Sequence, residues 1–348
     1  MNSSDPSTES PSNEKAARPK RRSFWRSARR WLPGAVISIL ALIFVFQLSS
    51  WVDIGLAFSA LEPEKLAIAI FLTTISLGMR ALGWSILLEH QVPLSKSFFT
   101  INIGYLLNNI LPLRAGEIGR ALYLGRTTGV SPLHVLSTIV IERAFDLIMA
   151  AALLLSTLPL ALGMAWARPV ALVTLLVVIS GLVTLYLVAQ NKELVLAWVQ
   201  RLGQRWPIVQ KQVVPRIGSL LNGLSVLRRP SQFFFSFFWI ALSWGMWIVV
   251  YWIMLLTIAP DAPIWWAVFT NAVLAMGVAI PSAPSALGVF EASIVGALAI
   301  LGTTEGALGY AILMHLFQVG LTGVYGVFAL LQARHSISAI FGEIQSQE

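Results

Sequence analysis

The sequence predicts an all-α polytopic membrane protein with about six full crossings and two re-entrant helical hairpins related as an inverted repeat. Three observations predict this class. First, 57% of the 348 residues are hydrophobic and only 11% are charged, with a mean hydropathy of +0.76; soluble domains carry roughly 25% charged residues. Second, apolar stretches near the ~20 residues that a helix needs to cross the hydrocarbon core recur along the chain. Third, two of the apolar stretches are interrupted by proline.

The apolar stretches divide the chain into crossings and interrupted units. Full crossings are predicted at 33–51, 65–88, 132–160, 168–190, 232–258 and 306–331. The interrupted units, at 97–127 and 263–302, are expected to form the hairpins. These elements make one transmembrane domain over 31–335, with a first repeat at 65–160 and a second repeat at 232–331.

The distribution of basic residues predicts the orientation in the membrane. Residues 1–30 carry eight lysines and arginines, and they are expected to form a disordered, basic cytoplasmic tail. The connector at 191–230 carries seven basic residues against one acid. Because cytoplasmic loops are enriched in Lys and Arg, we expect this connector and the tail at 336–348 to be cytoplasmic, in a protein of the cell (plasma or inner) membrane.

The basic segments also suggest partners. Anionic lipid headgroups are the expected partners of the tail and the connector, and a nucleic acid is disfavoured. Leu194, Trp198 and Leu202 recur every four residues, and Val214 begins a second run of similar spacing. These runs predict two amphipathic helices at the cytoplasmic interface. A protein-binding role for the connector stays open, as does self-association into a homo-oligomer.

The two interrupted units resemble each other. Each has an aromatic entry, then asparagine, a proline-containing break and a glycine that leads to a charged residue. Proline breaks the helical hydrogen-bond ladder, and the freed backbone groups must face protein or water rather than lipid. Paired breaks of this kind are typical of the binding site of a transporter. The residues that carry the pattern are Asn108, Asn109, Pro112, Gly116 and Glu117 in the first unit, and Asn271, Pro281, Pro284, Gly288 and Glu291 in the second.

Charged residues inside apolar sequence are candidates for the site. Arg114, Glu117 and Arg120 follow the first break, where an arginine fork suits a phosphate; solvated charges in an interfacial loop are the alternative. Glu291 has no charged neighbour up to Leu301, so it needs a partner or water. Arg120 is its predicted partner. His315 and Gln318 are expected to serve hydrogen bonding between helices.

A second charged group falls in the crossing at 132–160. Glu142 and Asp146 share one helical face, and Arg143 lies beside them. Either these residues belong to the site, or they snorkel from a shallow position to the interface. The same alternative applies to Arg80, with pairing to Glu117 or Glu142 as the functional interpretation.

Several motifs together resemble a known family. They are Asn108-Asn109 with Pro112, Arg114, Gly116-Glu117 and Gly119-Arg120; Gly129-Val130-Ser131; Ile141-Glu142-Arg143 with Asp146; and Pro281-Ser282-Ala283-Pro284 with Gly288-Val289-Phe290-Glu291-Ala292. They look like the signatures of the lysylphosphatidylglycerol synthase transmembrane-region family, also called flippase-like domain proteins, over about 33–335. The family's second hairpin often has glycine after its proline pair, where this chain has Ser285-Ala286.

The resemblance implies movement of a polar lipid headgroup between leaflets. Some relatives carry an aminoacyl-transferase domain after this region, whereas this chain is expected to be a stand-alone member without that domain. The predicted function is a lipid flippase or transporter acting on a phospholipid or an isoprenoid-linked lipid. Arg120 and Arg114 would hold its phosphate. Glu117, Glu142 and Glu291 would neutralise the arginines, and one of them would carry a coupling proton.

Two other functions stay open. One is an intramembrane lipid-modifying enzyme, and the other is a non-transporting subunit in a lipid or glycolipid pathway. The sequence favours neither, because it has no H-E-x-x-H motif and its four histidines are scattered. We expect no enzyme activity, no cofactor and no metal. The absence of cysteine excludes disulfides and thiol chemistry.

Overall fold

The computed structural model describes residues 58–111, 114–163, 190–203, 229–280 and 282–333, with scattered positions in 39–55 and 173–187. Regular secondary structure within these ranges is entirely helical, as predicted. The helices are α1 (Pro63–Leu87), α2 (Leu94–Ile110), α3 (Gly116–Thr128), α4 (Pro132–Ala161), α5 (Lys192–Gly203), α6 (Pro230–Leu255), α7 (Ile264–Val278), α8 (Val289–Ile300) and α9 (Ala307–Ala333), with a 3₁₀ turn at Pro284–Ala286.

Four of these helices, α1, α4, α6 and α9, are long and apolar enough to cross a membrane. They match four of the predicted crossings. The crossing predicted at 33–51 and both terminal tails fall almost wholly outside the described residues, and the crossing predicted at 168–190 is described only at scattered helical positions. The connector forms helix α5 where the four-residue spacing predicted one, and Leu194 and Trp198 are exposed on it. The second amphipathic helix of the connector lies outside the described residues.

Both interrupted units contain a break between two short helices. In the first, α2 ends at Ile110 and α3 begins at Gly116, whose backbone N–H donates to Asn108 Oδ1 at 2.9 Å. This bond caps one of the free N–H groups at the start of α3. In the second, the 3₁₀ turn separates α7 from α8. Pro112 and Pro281, which we predicted as breakers, lie outside the described residues.

Helices α1 and α6 approach closely through small residues. Ser76 Oγ donates to the Ser243 carbonyl at 2.9 Å, and Ser236 Oγ donates to the Gly83 carbonyl at 2.9 Å. A Cβ at Gly83 would lie 2.8 Å from Ile240, so glycine is needed for this distance. Small residues and hydroxyl bonds are what hold helices together in lipid, where burial of apolar surface gives no driving force.

The packing partners of α1–α4 correspond to those of α6–α9. Helix α2 packs against α9, and α7 packs against α4. Likewise α2 packs against α3 as α7 does against α8, and α3 packs against α4 as α8 does against α9. In this correspondence α1 matches α6, α2 matches α7, α3 matches α8 and α4 matches α9. If each helix is replaced by its match, every pair named above becomes another observed pair. The contact between α1 and α6 is unchanged by the replacement. The two breaks thereby occupy equivalent places.

Candidate functional site

A cavity of about 460 Å³ lies between the two breaks. Asn108, Asn109 and Arg114 line it from the first break, and Ser282 and Ser285 line it from the second. Its wall is completed by aromatic residues of α6 and by polar residues of α9. This volume is within the range of ~300–1,000 Å³ that is usual for ligand sites. The arrangement brings both predicted breaks to a single cavity, whose wall combines apolar and polar side chains.

Glu142 is the centre of an ion-pair cluster beside this cavity, and other members of the cluster, Arg80, Glu117, Arg143 and Asp146, line the cavity. Its side chain is 0% exposed, and its oxygens accept from Arg80 at 2.7 Å, from Arg120 at 2.8 Å and from Arg143 at 2.9 Å. These arginines stand on α1, α3 and α4. The side chains of Arg80 and Glu142 are therefore buried within the protein, and the predicted Arg80–Glu142 pairing is confirmed.

Asp146 and Glu117 complete the cluster. Asp146 contacts Arg80 at 2.5 Å and Arg143 at 3.2 Å, and it accepts from the Trp244 indole at 2.9 Å. Glu117 lies 3.5 Å from Arg143. The cluster consists of three arginines and three carboxylates, so its formal charges cancel. Such balance is what allows charges to be buried in apolar surroundings.

Arg120 lies inside the protein rather than at the cavity wall. Its guanidinium carbon is 3.6 Å from the centre of the Trp84 ring, and the indole of Trp84 donates to Thr138 Oγ1 at 3.0 Å. Stacking on an aromatic face adds to the ion pair with Glu142. The pair that we predicted between Arg120 and Glu291 is not formed, because α3 packs against α4 and α8 packs against α9.

Arg114 is a predicted site residue whose guanidinium forms no ion pair with the described residues. It adopts φ 58°, its side chain is exposed and lines the cavity, and it forms no hydrogen bond or ion pair with the residues that the structure describes. Beside it, the Asn109 amide lies 3.5 Å from Thr322 Oγ1. The Oδ1 atom of Asn108 is occupied by the cap of α3, which leaves its NH₂ group for the cavity.

The second break has a strained backbone held by side chains. Ser285 and Ala286 have φ values of 59° and 56°, which cost roughly 1–2 kcal/mol per residue for side chains other than glycine. This conformation explains why a glycine would fit where the chain has Ser285-Ala286. Pro284 begins the turn, and Gly288, at φ 83°, donates its N–H to Glu291 Oε2 at 2.7 Å.

Glu291 has a partner that the sequence did not predict. Its Oε1 lies 2.5 Å from His315 Nδ1, and His315 Nε2 lies 2.9 Å from the hydroxyl of Ser285. His315 was expected to bond between helices, and it does so from α9 to α8. The helical register of α9 relative to α8 decides this contact, and sequence spacing alone does not give that register. Trp84 and Trp244 were also missed, since tryptophan is common in apolar helices.

The hydrogen bond from Trp244 gives a testable prediction. The substitution Trp244→Phe removes one donor from Asp146, and we expect the free energy of unfolding to fall by about 1.5 kcal/mol more than for Trp247→Phe. Trp247 also lines the cavity but makes no hydrogen bond with a described residue. Thermal unfolding of the two variants in the same detergent measures this difference. Equal losses would show that the indole N–H contributes nothing.

Comparison with known proteins adds one finding. No curated protein and no solved structure matches the chain significantly. The family described as "Lysylphosphatidylglycerol synthase TM region" matches residues 31–326, which include both breaks, the ion-pair cluster and the cavity. This match covers most of the chain, and it agrees with the motifs on which the resemblance was based. The chain is therefore a member of the lysylphosphatidylglycerol synthase transmembrane-region family of membrane proteins.

Proposed function

We propose that the protein moves a polar, phosphate-bearing lipid headgroup between the two leaflets of the cell membrane. The headgroup passes through the cavity between the breaks while its hydrocarbon tails stay in lipid. One observation carries this proposal: Arg114 lines a cavity to which both breaks contribute, and its guanidinium forms no ion pair with the residues that the structure describes. A permanently charged fork that forms no ion pair with described residues is suited to a phosphate that arrives with the lipid.

The ion-pair cluster supports the same assignment. Its three carboxylates already face three arginines, so none is left to attract a cationic headgroup. The surplus charge at the cavity is that of Arg114. Amide and hydroxyl groups from Asn109, Asn271 and Gln318 stand around it and can bond the polar part of a headgroup. An anionic, hydrogen-bonding ligand therefore fits better than a cationic one.

The matched packing of α1–α4 and α6–α9 supports transport by alternating access. In our proposal these sets are inverted repeats. Each break, with its two short helices, is a re-entrant hairpin, and the two hairpins enter from opposite faces of the membrane. The positive-inside pattern, with both termini cytoplasmic, requires this orientation. Rocking of one repeat against the other would then open the cavity to each leaflet in turn.

The decisive experiment reconstitutes the full chain into liposomes with fluorescent, headgroup-labelled lipids, covering phospholipids and polyprenyl phosphates. A membrane-impermeant reductant then destroys the label in the outer leaflet, and loss of the protected label reports exchange. We expect exchange faster than in empty vesicles for at least one phosphate-bearing lipid. The variant Arg114→Ala is expected to slow it about tenfold, because about 1.4 kcal/mol of phosphate binding is lost.

Arg229→Ala is the matched control for Arg114→Ala. Arg229 is an exposed arginine just before α6, outside the cavity, and its substitution should leave exchange unchanged. Exchange equal to that of empty vesicles across all lipids would overturn the proposal and favour a non-transporting subunit. A lipid product of altered mass would favour a lipid-modifying enzyme. An equal effect of both arginine variants would remove Arg114 from the site.

A further inference from the structure

A buried carboxylate and a histidine join α8 to α9 beside the second break. Glu291 is 6% exposed and His315 is 6% exposed, and their side chains meet at 2.5 Å through Oε1 and Nδ1. The Phe290 ring stacks on the imidazole with 4.3 Å between centres and 14° between planes. The other ring nitrogen, Nε2, points at Ser285, which lines the cavity.

The partners of the imidazole determine how many protons the pair holds. Nε2 lies 3.0 Å from the Ser285 carbonyl oxygen, which can only accept, and 2.9 Å from the Ser285 hydroxyl, which can accept or donate. A hydrogen on Nε2 serves both contacts, whereas a bare Nε2 could bond the hydroxyl alone. The 2.5 Å contact between Nδ1 and Glu291 needs a second hydrogen between them. The arrangement that satisfies every contact therefore holds two protons and has no net charge, either as imidazolium with carboxylate or as two neutral groups.

Loss of one proton would weaken the contact with the second break. Without its hydrogen, Nε2 would face the Ser285 carbonyl with a lone pair and could bond only the Ser285 hydroxyl, and the pair would carry one uncompensated negative charge. The turn that Nε2 holds is strained, since Ser285 and Ala286 both adopt positive φ. Such strain persists only while the surrounding contacts maintain it. Proton release and opening of this turn thus favour each other.

We propose that Glu291 and His315 are the proton-binding site of the transporter, and that passage of the headgroup is coupled to proton movement through this pair. The inference rests on the proposed function. In the conformation described, the site is loaded and the second break is closed. When the break opens, Nε2 loses its carbonyl acceptor and the proton becomes free to leave. By linkage, acid favours the closed break and alkali favours the open one.

Other ionisable groups around the cavity are poor candidates for this role. Arg80, Glu117, Arg143 and Asp146 belong to the ion-pair cluster, in which each carboxylate already contacts an arginine. Tyr105, Tyr251 and Arg114 also line the cavity. The Tyr310 hydroxyl donates to the Tyr251 carbonyl. Helix α7 contributes no titratable side chain over Ile264–Val278. Histidine is the side chain best suited to exchange protons near neutral pH.

The proton count is tested first, without any need for transport. The full chain in nanodiscs, with isotope-labelled histidine, is studied by nitrogen NMR, and the signal missing from His315→Gln identifies His315 among the four histidines. We expect at neutral pH a ring with a hydrogen on Nε2 and a second hydrogen shared with Glu291. A ring whose Nε2 is bare at neutral pH would overturn the proposal.

Coupling is tested in liposomes with phosphatidylethanolamine labelled on its headgroup nitrogen, so that its phosphate is its only charge. A pH gradient across the vesicle is expected to change the rate of exchange by about fivefold or more, the lower end of typical coupling between linked sites. Glu291→Gln and His315→Gln should abolish the response to the gradient. Glu305→Gln, an exposed carboxylate before α9, should retain it.

The outcomes separate this proposal from the proposed function. Exchange by the wild-type chain that ignores the gradient would overturn coupling through the pair and leave the flippase intact. A gradient response that persists in Glu291→Gln or His315→Gln would do the same. If the labelled lipid does not move at all, and no other phosphate-bearing lipid moves either, the proposed function fails. The NMR result then still decides whether the pair holds two protons.

Discussion

Replacing Glu142 with glutamine is expected to lower the free energy of unfolding by about 3–5 kcal/mol, the range seen when one partner of a buried ion pair is removed. Glu142 is the carboxylate shared by arginines from three different helices. Arg80 and Arg143 would still form ion pairs with Asp146, but Arg120 would retain only its stacking contact with the Trp84 ring. A guanidinium that is 3% exposed would then be buried without a counter-charge.

Glu117→Gln is the matched control for this substitution. Glu117 belongs to the same cluster, but its side chain is 24% exposed and its contact with Arg143 is longer, at 3.5 Å. We expect it to lower the free energy of unfolding by less than about 1 kcal/mol, as exposed ion pairs do. Thermal unfolding in one detergent, followed by circular dichroism, compares the two. Similar midpoints for both variants would contradict the central position that we assign to Glu142.

The substitution Gly116→Ala is expected to be the second most damaging, at about 3 kcal/mol, the upper part of the usual range for overpacking. An added Cβ would lie 2.2 Å from the Gly104 carbonyl oxygen and 2.6 Å from the Asn108 backbone nitrogen. Both are backbone atoms, so no rotamer change can make room, and α2 and α3 must separate. The cap that Asn108 provides to Gly116 would be lost with the same movement.

Two other glycines serve as controls for Gly116→Ala. A Cβ at Gly78 in α1 meets nothing within 4 Å, so Gly78→Ala should change the free energy of unfolding by less than about 1 kcal/mol. A Cβ at Gly104 meets side-chain rather than backbone atoms, those of Arg120, at 3.1 Å, and Gly104→Ala should fall between the other two. Unfolding midpoints that do not follow this order would contradict the packing of α2 on α3.

Within the described residues, the sequence was sufficient to predict four crossings and both interruptions, because lipid imposes length and apolarity on each segment. Helix α4 was predicted at 132–160 and lies at Pro132–Ala161. The predicted interruption between Ile110 and Gly116 is present. Arg114 was singled out because an arginine beside a proline-containing break has few structural uses in an apolar region. It lines the cavity, and its role in binding stays a prediction.

The pairing of the charges could not be predicted in the same way. Sequence gives the type of each charged residue but neither its depth nor the rotation of its helix. Arg120 and Glu291 were paired because they stand in similar places of the two units. Because α3 packs on α4, Arg120 instead pairs with Glu142, and because α8 packs on α9, Glu291 pairs with His315. Likeness between two units predicts equivalent positions, not contact between them.

The helices of the two halves of the molecule are joined by different kinds of contact, and this difference has a mechanical consequence. Helices α1, α3 and α4 are held together by ion pairs between Glu142 and guanidinium groups that stay charged. Separating these helices would leave unpaired charges in an apolar environment. Between α8 and α9 the corresponding contact is the pair of Glu291 and His315, which under our proposal opens when one proton leaves. We therefore expect α1, α3 and α4 to stay together during transport, while α8 and α9 move relative to each other.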